Sequence, residues 1–242
     1  MKKFFLSVSL FSILCLGVSC ARVKKPEAAK QHEEWIESLN DSIAIYKAQA
    51  DSTSALLSTL QSRVGSLMPD FEHVSNPREV EGYYVFKGWK NRFPLSGTGM
   101  VARISENEGF ELLAALSGGV FNQISVSSSG ESVKSAIVPH DQALNYRAGN
   151  LNTVCFFGNE ADLVGEFISG HSNAQINVAF LGGAKPSSFT LPPDAREMIA
   201  ATWQLYSTQK QMHQLEKSLP LLSRKIDMCR RMLNERDSLP ND

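Results

Sequence analysis

From Ile36 onward, apolar residues recur at every third or fourth position through Leu39, Ile43, Tyr46, Ala50, Leu57, Leu60 and Val64 to Leu67, with Thr53 the polar member of the series. A repeat of 3.5 residues keeps a narrow stripe on one side of a helix. Flanking Glu33, Glu37, Asp41, Lys47 and Arg63 leave that stripe as the face that gains from burial. The same stepping returns near the C-terminus, from Met198 through Ala201, Leu205, Met212, Leu215, Leu219, Leu222, Ile226 and Cys229 to Leu233, with Thr208 interrupting it. Two such stripes predict helices over 27–68 and 193–238 that pair antiparallel, with Tyr46 facing Leu219, Ile43 facing Leu222 and Ile36 facing Cys229. Pro220 falls inside the second helix, where a lost backbone hydrogen bond and a clash with the preceding turn cost about 3 kcal/mol. The heptad phase runs through it unchanged, which predicts a kink rather than an end.

The helical period disappears between these segments. Over 69–192 glycine becomes frequent, β-branched and aromatic residues rise, and short alternating runs predict strands near 83–89, 100–105, 110–117, 121–127, 132–138, 153–157 and 176–180. One helix is predicted near 160–169, with Asn159 as its cap and Leu163, Val164, Phe167 and Ile168 on its buried face. The fold class read from these patterns is α+β: a long antiparallel two-helix coiled coil with an inserted β-rich domain, sandwich or barrel-like. The two helices would act as a stalk, and their outer faces offer a route to an oligomer.

The first twenty residues follow another logic. Lys2 and Lys3 precede an apolar run from Phe4 to Leu16, shorter than the roughly 20 residues a spanning helix requires, and small residues lead to Cys20. Gly17, Val18 and Ser19 before Cys20 resemble the lipobox of bacterial lipoproteins, and the Ser-Cys ending is similar to lipoproteins of the Bacteroidetes. The resemblance implies removal of 1–19 as a signal peptide, acylation of Cys20, and a lipid-anchored tether over 20–26. Each buried CH₂ contributes about 0.8 kcal/mol, so two or three acyl chains give a lasting membrane anchor. Ala21 stands where an aspartate would mark inner-membrane retention, which points to the periplasmic face of the outer membrane.

Removing the signal takes Lys2 and Lys3 from 24 basic residues, leaving 22 against 25 acidic ones, a formal charge of −3. That balance gives no reason to expect a nucleic-acid partner. The remaining thiols, Cys155 and Cys229, fall in different predicted parts of the chain and are expected to be unpaired.

Little of the remaining chemistry rises above the structural. Gly97, Gly99 and the pairs Gly118-Gly119 and Gly182-Gly183 lie among extended segments and read as turns rather than phosphate loops. Five histidines show no paired spacing, so neither a metal nor another cofactor is expected. His140 beside Asp141 could supply a base and an orienting acid if Pro139 bends the chain. Trp89, Arg92 and Phe93 combine aromatic rings with a cation, a composition suited to stacking and charge-assisted recognition of a peptide, glycan or envelope protein. Candidate ligand-binding residues are therefore Trp89, Arg92, Phe93, His140 and Asp141, with no catalytic residue assigned. The expected function is a lipid-anchored, non-catalytic envelope protein holding its β-rich domain on a stalk for binding or scaffolding. The alternatives are a hydrolase of envelope polymer using His140 and Asp141, and a coiled-coil adaptor of a membrane complex.

Overall fold

The computed structural model describes residues 25–75, 81–89, 92, 95–107 and 109–237. The segment 1–19 expected to be a signal peptide and Cys20 lie outside the described residues, as does Phe93. By internal contacts the chain divides into two units, one of Met1–Tyr46 with Lys225–Asp242 and one of Lys47–Arg224.

Helix α1 (Lys25–Leu67) opens the described chain, and a 3-10 turn at Met68–Asp70, with Pro69 at its start, ends the helical run. Six strands then follow: β1 (Phe71–Val74), β2 (Tyr83–Phe86), β3 (Gly99–Ser105), β4 (Phe110–Ser117), β5 (Gln123–Ser128) and β6 (Glu131–Lys134). Next come β7 (Asn145–Ala148), β8 (Leu151–Phe157), α2 (Asn159–Gly170), β9 (Asn177–Leu181), β10 (Ser187–Thr190) and α3 (Pro193–Asp237). Every strand pairing is antiparallel, giving one sheet in the order β1-β2-β3-β4-β8-β7 and another in the order β10-β9-β5-β6.

One apolar core joins both sheets. Leu112 and Val154 of the larger sheet and Ile124 and Val178 of the smaller are fully buried in it, and the rings of Phe121 and Phe180 meet edge to face at 4.7 Å. Each large apolar side chain so enclosed contributes about 1.5–3 kcal/mol. Helices α2 and α3 close over the same core. Gly165 of α2 lies so near Phe110 and Trp203 that an added Cβ would fall 2.8 Å from ring atoms of each, so only glycine permits this approach.

These findings overturn the long two-helix coiled coil. The described chain has three helices and two antiparallel sheets of six and four strands, and its close backbone contacts are dominated by strand pairs rather than a helical seam. The N-terminal part of α3 is a core element of the sheets: Ala195, Met198, Ile199, Leu205 and Tyr206 all belong to the common core. Burial there reaches Ile199, Ala200, Thr202 and Tyr206, positions outside the heptad stripe, because the helix is covered over a wide face rather than along a narrow line. Val64 and Leu67, at the end of α1, pack against that core as well. Elsewhere the stripe residues of α1 from Ile36 to Leu57 are only half-buried. Lys225 Nζ lies over the Tyr46 ring, 5.2 Å from its centre. That contact falls within the first unit, where Ile226 and Cys229 are buried.

Smaller differences have local causes. Helix α2 starts one residue after Gly158, which sits at φ 79 and caps it with no side-chain hydrogen bond, so Asn159 is the first helical residue and not the cap. Leu163 is exposed, whereas Ala161, Val164, Gly165 and Ile168 form the buried face. Helix α3 continues through Pro220. Cys155 is half-buried and Cys229 buried.

Candidate functional site

The β7–β8 hairpin sets up the site. Its turn has Gly149 at φ 61, and its register places Arg147 opposite Asn152 and Asn145 opposite Val154. Residues two apart on a strand, and those directly across from them, share a face. Asn145, Arg147 and Asn152 are therefore neighbours on one side of the ribbon. The two asparagines are buried and the arginine reaches solvent.

Their amides make a saturated network. Asn152 Nδ2 donates to Asn145 Oδ1 at 3.0 Å and to the Tyr146 carbonyl at 3.1 Å, while its Oδ1 accepts the Phe121 N–H at 2.8 Å. Asn145 Nδ2 in turn donates to the carbonyls of Val138 at 2.8 Å and Phe121 at 3.3 Å. The loop between β4 and β5 and the segment that leads from β6 to His140 are thus both tied to the hairpin. Buried polar groups are tolerable when satisfied in this way, and a satisfied network makes the surrounding loops rigid.

Above this network lies a concavity of about 430 Å³, walled by Val120, Asn122, His140 and Arg147 and floored by the asparagine pair. A second, of about 440 Å³, adjoins it and shares Val120 and Arg147; Ser117, Lys185 and Ser187 complete its polar rim. The glycine pairs noted in the sequence shape both. Gly182 and Gly183, at the turn after β9, press so closely on Asn122 and the Val120 carbonyl that a Cβ at either position would collide with them. These glycines let two loops touch and form a common wall. Between them the two concavities display Arg147, Lys185 and His140, and no carboxylate lines either. Half-exposed Val120 offers an apolar contact in the middle.

The residues singled out by sequence fall in two separate places. His140 borders the groove, but the neighbouring Asp141 turns its carboxylate onto the backbone, where Oδ1 accepts the N–H groups of Leu144 at 2.8 Å and Ala143 at 2.5 Å. Those two bonds, first Leu144 and then Ala143, hold its pKa below the ordinary aspartate value, with a lesser contribution from His140. Asp141 thus closes a turn and bridges to Asn145. Trp89 is buried in the core, and Arg92 stacks over its ring at 4.2 Å while donating to Asp194 Oδ2 at 3.0 Å. That pair fastens the loop after β2 to the first turn of α3. Arg147, Lys185, Asn145 and Asn152 were not singled out from the sequence; the glycine pairs were the available signal for where their loops converge.

Among the described residues, no cluster of three or more histidine, cysteine, aspartate or glutamate side chains could hold a metal ion, and no helix is long and apolar enough to cross a membrane. Fold and groove together define a two-sheet β-rich domain with a basic, polar-floored cleft. No protein-family model, curated protein or solved structure matches the chain.

Proposed function

We propose that this protein is a lipid-anchored component of the cell envelope whose β-rich domain binds a ligand without transforming it. The observation that carries the reading is the groove itself: two adjoining concavities on a floor held by the buried Asn145–Asn152 pair, open to solvent and rimmed by polar and cationic groups. Sites of a few hundred cubic ångströms with a few converging polar groups are the usual form of ligand pockets. The turn-closing role of Asp141 supports binding over hydrolysis, because its Oδ1 accepts two backbone N–H groups and holds the carboxylate in a structural turn. The lipobox-like segment ending at Cys20 supports anchoring, with Cys20 carrying the acyl chains and the domain facing the periplasm.

Two measurements test this reading. Metabolic labelling with a palmitate analogue is expected to mark the wild-type protein and not Cys20→Ala, whose fractionation should shift from membrane to soluble. Amide shift mapping of the mature chain against peptide and glycan panels is expected to perturb the loops around Val120 and Gly182. Turnover of an envelope polymer that His140→Ala abolishes would instead establish the hydrolase.

A further inference from the structure

We infer that the groove takes an extended acidic peptide segment of a partner protein; this rests on the reading of the domain as a binding module. Three features carry it. First, two cationic side chains and an imidazole lie in order along the cleft: His140 borders the first concavity, Arg147 borders both, and Lys185 borders the second. The chain as a whole carries a formal charge of −1, so a cleft with two permanent cations and no lining carboxylate is a local reversal of the protein's own sign. Such a reversal attracts anions and rejects cationic partners.

Second, the arginine is held ready. Arg147 Nε donates to the Gly149 carbonyl at 3.1 Å, which fixes the root of the guanidinium at the hairpin turn and leaves its terminal nitrogens for a carboxylate. Third, the lining favours a peptide over a sugar polymer. Glycan recognition commonly uses an exposed aromatic face, whereas Phe121, the aromatic residue lining the cleft, is 3% exposed and packed edge-on against Phe180. What the cleft presents is the half-exposed Val120, which lines both concavities together with Arg147, and Asn122 in the first concavity as an amide partner for main chain. An extended strand alternates its side chains, so a segment alternating acidic and aliphatic residues would set carboxylates toward the cations and its amides toward Asn122.

The test is fluorescence anisotropy with the mature chain and a labelled octapeptide of alternating glutamate and valine. A lysine-valine octapeptide, a serine-valine octapeptide and oligogalacturonate serve as comparisons. The acidic peptide is expected to bind, to weaken as salt rises, and to lose about fivefold in affinity with Lys185→Glu. Arg147→Glu should lose about as much, and Lys185→Glu keeps the test sound if the hairpin suffers from the arginine change, because Lys185 is an exposed loop residue. Equal binding of the acidic and lysine peptides, or no loss in Lys185→Glu, would overturn the inference. Oligogalacturonate binding as tightly as the acidic peptide would overturn the peptide assignment. A neutral ligand mapping to the groove while the acidic peptide does not bind would sink this inference and leave the binding-module reading standing; a groove that no ligand perturbs would sink both.

Discussion

Asn152 donates an amide hydrogen to Asn145 Oδ1 at 3.0 Å beneath the groove, with the two side chains 2% and 3% exposed. Through this pair a two-stranded ribbon at the edge of the larger sheet controls both the loop that enters the smaller sheet and the segment that carries His140.

Asn152→Ala is expected to leave the Phe121 N–H and Asn145 Oδ1 without partners in a buried site. Unsatisfied buried groups cost about 1–3 kcal/mol each, so a loss of about 2–6 kcal/mol is expected in urea unfolding. The amide resonance of Phe121 should shift strongly, whereas one at the far sheet edge, such as Glu72, should not.

Gly183→Ala should disturb the groove more than its size implies. The new methyl group would collide with the Val120 carbonyl, a backbone atom that cannot rotate away. Separation of the two loops is expected to cost about 1–3 kcal/mol. Ligand affinity should fall along with thermal stability, whereas Gly130→Ala, which meets open space, should lower stability through its positive φ and leave the groove intact.

Acid should act through Glu106. Its Oε2 accepts the Gly82 N–H at 2.9 Å and its Oε1 meets His73 Nε2 at 2.7 Å, and these bonds, the Gly82 one foremost, hold its pKa below the ordinary glutamate value. A carboxylate depressed in the folded state adds stability above its unfolded pKa and loses it as pH falls through the folded one. Glu106→Gln should therefore be less stable than wild type at neutral pH, and the gap should close on acidification below the usual carboxylate range. Chemical unfolding across pH 2–7 checks this.

The alkaline limb should report on Lys210. Its ammonium lies 2.5 Å from Asp162 Oδ2, which also accepts a hydrogen bond from the Tyr206 hydroxyl at 3.3 Å. The Asp162 bond raises the lysine pKa, and burial foremost raises that of Tyr206. Groups raised in the folded state contribute below their unfolded pKa and lose that contribution as pH climbs through the folded value. Lys210→Met is expected to be less stable at neutral pH and to lose less on going from pH 9 to 12, as seen in thermal melts.

Alternation and helical period made much of the secondary structure legible. β4 occupies the 110–117 predicted for it, and α2 falls within a residue of the 160–169 expectation at each end. The strands that escaped notice, β1, β7 and β10, are four-residue edge strands. A run that short completes barely two side-chain periods, and its status is settled by the neighbour it bonds to. The groove residues escaped for a related reason. Arg147 and Lys185 are 38 positions apart in the chain, one on the short strand β7 and one in the loop after β9, and nothing local marks them as sharing a cleft.

What the sequence by itself determined is the local grammar: two long helical segments, a β-rich stretch between them, and glycine pairs at turns. The tertiary structure alone decided which faces those segments would cover. A heptad stripe specifies that a helix face must be buried but not against what. Here the core of two sheets, with far more apolar area to offer than a second narrow stripe, took the beginning of α3 and the end of α1. The same choice brought distant loops together over a pair of buried amides and made a cleft from residues that are unremarkable when read in order.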